Sequence, residues 1–128
     1  MTEKTAIVAE KAPAALGPYS AAVRVGDMLY CSGQTGISPA DGELVGADVA
    51  SQARQVLENL SAVLEAAGAS FDDVVKTTVF LTDMADFAEM NAIYAQNFNA
   101  PYPARSTVQV AALPKGGCVE VEAIAKLG

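Results

Sequence analysis

Residues 105–126, RSTVQVAALPKGGCVEVEAIAK, decide the fold. Two runs rich in β-branched and apolar residues, Arg105 to Ala111 and Cys118 to Lys126, read as strands. LPKGG between them is turn chemistry, so the stretch reads as a hairpin. Side chains alternate along a strand. Ser106, Val108 and Val110 therefore share one face of the first strand, and Arg105, Thr107 and Gln109 the other. In the second strand Val119, Val121, Ala123 and Ala125 oppose Cys118, Glu120, Glu122 and Ile124. The Val-rich face is expected to meet the core. Arg105, Thr107, Gln109, Glu120 and Glu122 are expected together on the other face.

Upstream, apolar residues at Val49, Ala53, Val56, Leu57, Leu60, Val63 and Leu64 form a stripe of helical period. They predict a helix from Ala47 to Ala67, ended by Gly68. Val74 to Leu81 predicts a buried strand. Thr82 or Asp83 then caps a second helix running to about Phe98, with a stripe of Phe87, Met90, Asn91, Tyr94 and Phe98. Near the start, Thr5 to Ala9 reads as an edge strand. Ser20 to Val25 and Met28 to Gly33 flank the turn pair Gly26-Asp27 as a hairpin. Strand and helix blocks mix in the order ββ-α-β-α-ββ. The fold class is α+β, a mixed β-sheet with two helices packed on one face.

The 128 residues suggest a single domain spanning 1–128. Hydrophobic residues make up 52% and aromatics only 6%, with no Trp, so the core must be aliphatic. The net charge of −7 and a pI near 4.3 oppose binding to a phosphate backbone or an anionic membrane surface. No nucleic-acid or membrane partner is expected. The opening MTEKTAIVAEK lacks the apolar run of a signal peptide, and Cys31 and Cys118 form no CxxC pair. Both features read as a cytoplasmic protein with free thiols. Histidine is absent, which removes His-based acid/base catalysis, the Ser-His-Asp triad and most zinc sites.

Two features stand out against this background. The polar face of the last two strands is either wet, as one side of an antiparallel sheet often is, or covered by another copy of the chain. In the second case its charges must be paired or must bind a ligand. Asn91 lies on an otherwise apolar helix stripe, either as a satisfied buried amide or as a polar group aimed into a pocket.

The motifs resemble the RidA/YjgF family of reactive-intermediate (enamine/imine) deaminases. The likeness runs through ALGPYS, CSGQTG, DVASQARQVLENL, VVKTTVFLTDMADFAEMNAIY and YPARSTVQVAALPKGGCVEVEAIA. PARS, LPKG and VEVEAIA in that order are its most specific part. The resemblance implies a chorismate-mutase-like fold and a homotrimer whose sheets form a barrel, with sites in clefts between subunits. It implies hydrolysis of 2-aminoacrylate-type enamines and 2-imino acids, such as 2-iminobutanoate and 2-iminopropanoate, to 2-keto acids and ammonia. It also implies a functional link to the PLP-dependent dehydratases that release these intermediates, and no cofactor in the deaminase itself. By the same resemblance Arg105 binds the substrate carboxylate and Glu120 activates water. By the resemblance, too, Tyr19, Ser32, Gly33 and Asn91 match positions that line the pocket, and backbone groups near Gly33 and Thr107 contact the substrate. Thr107 stands where many bacterial members carry Cys, a difference that bears on substrate range more than on fold. The competing reading is a non-catalytic protein that holds a small carboxylate as a regulatory or chaperone-like module. Both readings need Arg105, and only the enzyme needs Glu120. Ribonuclease activity, also attributed to relatives, fits poorly with the acidic charge and the lack of His.

Overall fold

In the computed structural model, which describes residues 3–128, the apolar stripe becomes helix α1, Val49–Ala66. Asp48 caps it by accepting from the Ser51 N–H at 2.9 Å. At the other end Gly68, with φ +77°, lets the chain leave in the left-handed conformation. There the Gly68 N–H donates to Glu65 O and the Ala69 N–H to Leu64 O, a Schellman closure. All seven stripe residues are buried. Burying each Val or Leu among them stabilises by roughly 1.5–3 kcal/mol.

The strands are β1 Lys4–Ile7, β2 Ala22–Val25, β3 Met28–Thr35, β4 Val74–Leu81, β5 Ala104–Gln109 and β6 Val119–Lys126. They form one six-stranded sheet in the order β1-β2-β3-β6-β4-β5. Every neighbour is antiparallel except β4 and β5, which run parallel. The second helix, α2, Phe87–Ala95, is the crossover that this parallel pair requires. Asp83 caps a short 3₁₀ turn, Met84–Asp86, leading into α2. The helix ends before Phe98, which is buried just beyond it against Tyr94 and Phe71. The α+β class, the mixed sheet and the two helices over one face agree with the sequence reading. No described helix is long and apolar enough to cross a membrane.

The last two strands do not form a hairpin. β4 lies between them, pairing with β5 on one side and β6 on the other. This changes the faces. Arg105 stands beside Thr77, which stands beside Ala123. Arg105, Thr107 and Gln109 therefore lie on the helix side, while Glu120 and Glu122 lie on the helix-free side with Phe80, Thr78 and Val108. The expectation that all five share one face is wrong. The reason is that β5 is an edge strand reached through α2. Its helix side is covered by the aromatic rings of α2 rather than by aliphatic packing, and Val108 faces outward, 43% exposed.

The strand predicted to end at Gly33 continues to Thr35 across a β-bulge. Cys31 pairs with Ala123 and Gln34 with Val121, so Ser32 and Gly33 together oppose the single residue Glu122. Such a bulge kinks the strand and re-aims its side chains. Two amides on the inner side of α1, Gln52 and Asn59, hold the end of β3 and the loop from it to α1. Gln52 donates to Gly46 O and accepts from the Cys118 N–H, both at 2.8 Å. Asn59 donates to Thr35 O at 3.2 Å and Ile37 O at 2.8 Å. Both are almost fully buried, and the apolar stripe gives no sign of them.

Candidate functional site

The bulge in β3 brings four predicted site residues to one cavity. Tyr19, Ser32, Gly33 and Glu120 line a space of about 470 Å³, together with Leu16, Thr35, Ile37, Pro114 and Lys115. The Ser32 hydroxyl donates to Ser20 O at 2.6 Å and its N–H to Ala21 O at 2.9 Å, so this serine ties the bulge to the segment before β2. Tyr19 is no core ring: it is 56% exposed, and its hydroxyl accepts from the Leu16 N–H at 3.4 Å. Gly33 has a steric role. A Cβ there would stand 2.7 Å from Glu120 Cδ and 3.0 Å from its Cγ. The Glu120 side chain lies directly across the bare Cα. Burial, and then the charge of Glu122, raise the Glu120 carboxyl above its ordinary pKa. A carboxylate shifted this way is a stronger base nearer neutral pH.

Arg105, Thr107 and Asn91 form a second group at the border of β5 and α2. The Arg105 guanidinium lies over the rings of Tyr94 and Phe87, 4.7 and 5.6 Å from their centroids. Cation–π contact holds the planar fork while leaving its donors for a ligand. The Tyr94 hydroxyl and Thr77 Oγ1 are 2.7 Å apart, which fixes the ring. Burial pushes the Tyr94 phenol up, against the opposing effects of the Thr77 bond and the Arg105 charge. Asn91 is half-buried, on the helix face between Phe87 and Tyr94. Gln109 accepts from the Met84 N–H at 2.8 Å, joining the end of β5 to the approach of α2. In the sequence Phe87 and Tyr94 are members of a helix stripe; only the folded sheet shows them as the platform for Arg105.

The two groups do not meet within one chain. Arg105 and Glu120 flank β4 three residues apart in register, on opposite sides of the sheet. Strand spacing and rise put their backbones about 14 Å apart. Among the described residues the one side-chain ion pair is Lys126–Asp27, at 3.4 Å and exposed. A cross-strand Arg105–Glu120 bridge therefore does not form. No described cluster of three or more His, Cys, Asp or Glu has the arrangement of a metal site. Burial pushes the Cys31 thiol up to about 12, and Cys118 is also raised, chiefly by burial, so neither is an activated nucleophile.

Residues 9–127 match the family described as Endoribonuclease L-PSP. A Bos taurus protein named 2-iminobutanoate/2-iminopropanoate deaminase is 55% identical over 118 residues, covering 92% of this chain and 86% of the relative. Among solved structures, RidA from the Antarctic bacterium Psychrobacter sp. PAMC 21119 superposes with a TM-score of 0.92 at 53% identity, covering 96% of this chain and 99% of that one. E. coli TdcF with bound serine gives a TM-score of 0.91 at 46% identity, covering 97% and 99%. An unbroken match of motifs, fold and length on this scale leaves one conclusion: the chain belongs to the RidA/YjgF family, the family described as Endoribonuclease L-PSP.

Proposed function

We propose that the protein is a 2-iminobutanoate/2-iminopropanoate deaminase, hydrolysing short 2-imino acids to 2-keto acids and ammonia. The observation that carries the reading is the partly desolvated Glu120 carboxylate laid over Gly33 in a cavity, in a chain 55% identical to a deaminase of that name. Arg105 binds the substrate carboxylate through paired charge-assisted hydrogen bonds. Glu120 takes a proton from water as the water oxygen bonds to the imine carbon and the C=N π pair moves to nitrogen. The proton then passes to that nitrogen, giving a carbinolamine; Glu120 next carries the hydroxyl proton to the same nitrogen, the C=O bond forms as the C–N bond breaks, and ammonia leaves the 2-keto acid. Enamines enter as their imine tautomers. Tyr19, Ser32 and Gly33 wall the Glu120 side; Asn91 and Thr107 wall the Arg105 side.

Because Arg105 and Glu120 lie on opposite sides of the sheet, the site takes Arg105 from one copy and Glu120 from another. A homotrimer with sites between subunits supplies both. The helix-free face, with Tyr30, Phe80, Ile124 and Val108, is the surface such an assembly covers. The imines come from PLP-dependent dehydratases. The two free cysteines suit the reducing cytoplasm as the place of action. RNA cleavage, suggested by the family's descriptive name, is disfavoured by the charge of −7 and the lack of His.

The test couples the purified protein to a threonine dehydratase and follows 2-ketobutyrate in the presence of semicarbazide, which traps the imine. The protein competes with the trap. Arg105→Ala abolishes the effect while the fold stays intact, and Glu120→Gln retains ligand binding without turnover. Sedimentation gives a trimer. A protein that leaves the trapped fraction unchanged refutes the deaminase; a stable, active monomer refutes the shared site.

A further inference from the structure

The LPKGG segment, residues 113–117, does more than turn the chain. Lys115 has φ +57° and is the one residue other than glycine with a positive φ among the described residues. It occupies the third position of a turn closed by Gly116 N–H to Leu113 O at 3.2 Å. That position favours glycine, because a side chain in the left-handed region crowds its own backbone. Gly116 and Gly42, the latter at φ +74°, show the residue such places ordinarily take. A strained residue persists where its surroundings hold it, and such strain concentrates at functional sites.

Two further observations say what this side chain does. Its ammonium donates to Gly42 O at 2.6 Å, across 73 positions of sequence. Gly42 is the tip of a tight excursion, stitched by the Ser38 N–H to Glu43 O, the Gly42 N–H to Ser38 O and the Val45 N–H to Gly36 O, with Ile37 bridging Leu44. Lys115 also lines the Glu120 cavity. Beyond that cavity lies a second one of about 210 Å³, with Gly42, Pro39 and Ala14 in its wall. The two spaces share Leu16, Tyr19, Gly33, Thr35 and Ile37. The exposed Lys115–Gly42 bond thus ties a lining residue of the second cavity to a lining residue of the first.

We propose that Lys115 is a positioning residue whose bond to Gly42 pins the 38–43 turn and so limits the length of substrate side chain that the site admits. This rests on the deaminase reading. The second, mostly aliphatic space receives the substrate's alkyl group. With the clip in place, the space holds groups up to about the size of a benzene ring, since a cavity of about 150 Å³ already takes one. Without the clip, the turn moves outward and longer side chains enter.

The experiment measures kcat/KM for two 2-imino acids generated in place by an amino-acid oxidase with catalase, one with an ethyl side chain and one with an indol-3-ylmethyl side chain, which exceeds the clipped space. Lys115→Met removes the ammonium and keeps the backbone demand; Lys115→Gly removes both; Lys115→Arg keeps a donor. In the Met and Gly variants the indolylmethyl-to-ethyl ratio rises by about tenfold, the lower end of what a difference of a methylene or more sets in an apolar pocket. Arg restores the parent's ratio. The thermal midpoint of Lys115→Gly stays at or above the parent's, because glycine suits the left-handed position. An unchanged ratio in both variants, with the parent active, overturns the clip alone. Equal loss on both substrates with a lowered midpoint overturns it in favour of a merely structural bond. A parent that hydrolyses neither imine overturns the deaminase reading and the clip together.

Discussion

Gly33→Ala places a methyl group where the Glu120 carboxyl now lies, 2.7 Å from Cδ and 3.0 Å from Cγ. Carbon–carbon contacts settle near 3.5–4.0 Å, so the carboxyl retreats by about 1 Å. Gly33 itself is not in the left-handed region, so alanine brings no backbone strain. The displaced group is the end of a side chain, and its cost is about 0.5–1.5 kcal/mol of rotamer strain. Replacing Gly by Ala at a compatible position returns about 0.4–1 kcal/mol through the unfolded chain. The two nearly cancel, and the thermal midpoint moves by no more than about 4 °C. Activity behaves otherwise. A misplacement of 1 Å costs on the order of 100-fold, about 2.7 kcal/mol of barrier. The dehydratase-coupled assay with semicarbazide reads deaminase activity relative to the parent, and differential scanning calorimetry reads the midpoint. Adding Glu120→Asp to Gly33→Ala, which shortens the acid by one methylene, recovers part of the loss, so the pair is non-additive. Full activity in Gly33→Ala would refute the role given to the Glu120 position, and a collapse of the midpoint would show that Gly33 serves the fold.

Gly36→Ala should show the opposite pattern, because its Cβ would meet the α1 backbone at Gln52 Cα, 2.8 Å away; we expect a loss of about 1–3 kcal/mol, of the order found for overpacking, read as a lower urea midpoint. Gln52→Leu orphans the Cys118 N–H and the Gly46 carbonyl, a cost of about 1–3 kcal/mol for each group, seen as a shifted midpoint at constant m-value. Glu120 has its carboxyl raised in the folded state, so folding binds a proton there and the ionised form weakens the fold as pH rises through that raised value. Glu120→Gln should therefore melt higher than the parent at neutral pH, with the difference vanishing as pH falls towards about 4, the ordinary carboxylate value. In the parent, kcat/KM, which follows the free enzyme, should fall as pH drops through the same raised pKa, and Glu122→Gln, by removing the second cause of the shift, should move that limb to lower pH.

Local pattern makes most of the elements legible. The helical stripe from Val49 to Leu64 is buried as read, and Gly68 ends the helix by the mechanism that glycine serves at such ends. Val74 to Leu81 is a strand to the residue. The strand through Gly33 reads short in the sequence because a bulge interrupts the alternation that signals a strand. Phe98 lies on the helical stripe but is buried from beyond the helix, since periodicity does not say where a helix stops. Gln52 and Asn59 escape a sequence reading because a polar residue on a buried face declares itself only when its partners, here in the 35–46 and 117–118 segments, are folded against it.

By itself the sequence determined the order of strands and helices, the aliphatic core of α1 and the lack of histidine chemistry. Tertiary structure decided which residues those elements bring together. Alternation along 105–126 sorts side chains into two sets on each strand, yet it cannot say which set faces the helices, because that depends on the pairing partner and a shift of one residue exchanges the faces. The insertion of β4 between β5 and β6 is a long-range event, made through α2, that no local spacing encodes. It put Arg105 on the aromatic platform of α2 and Glu120 over Gly33 on the other side of the sheet. Two residues that read as neighbours on one hairpin thus stand on opposite sides of the sheet, with β4 between them.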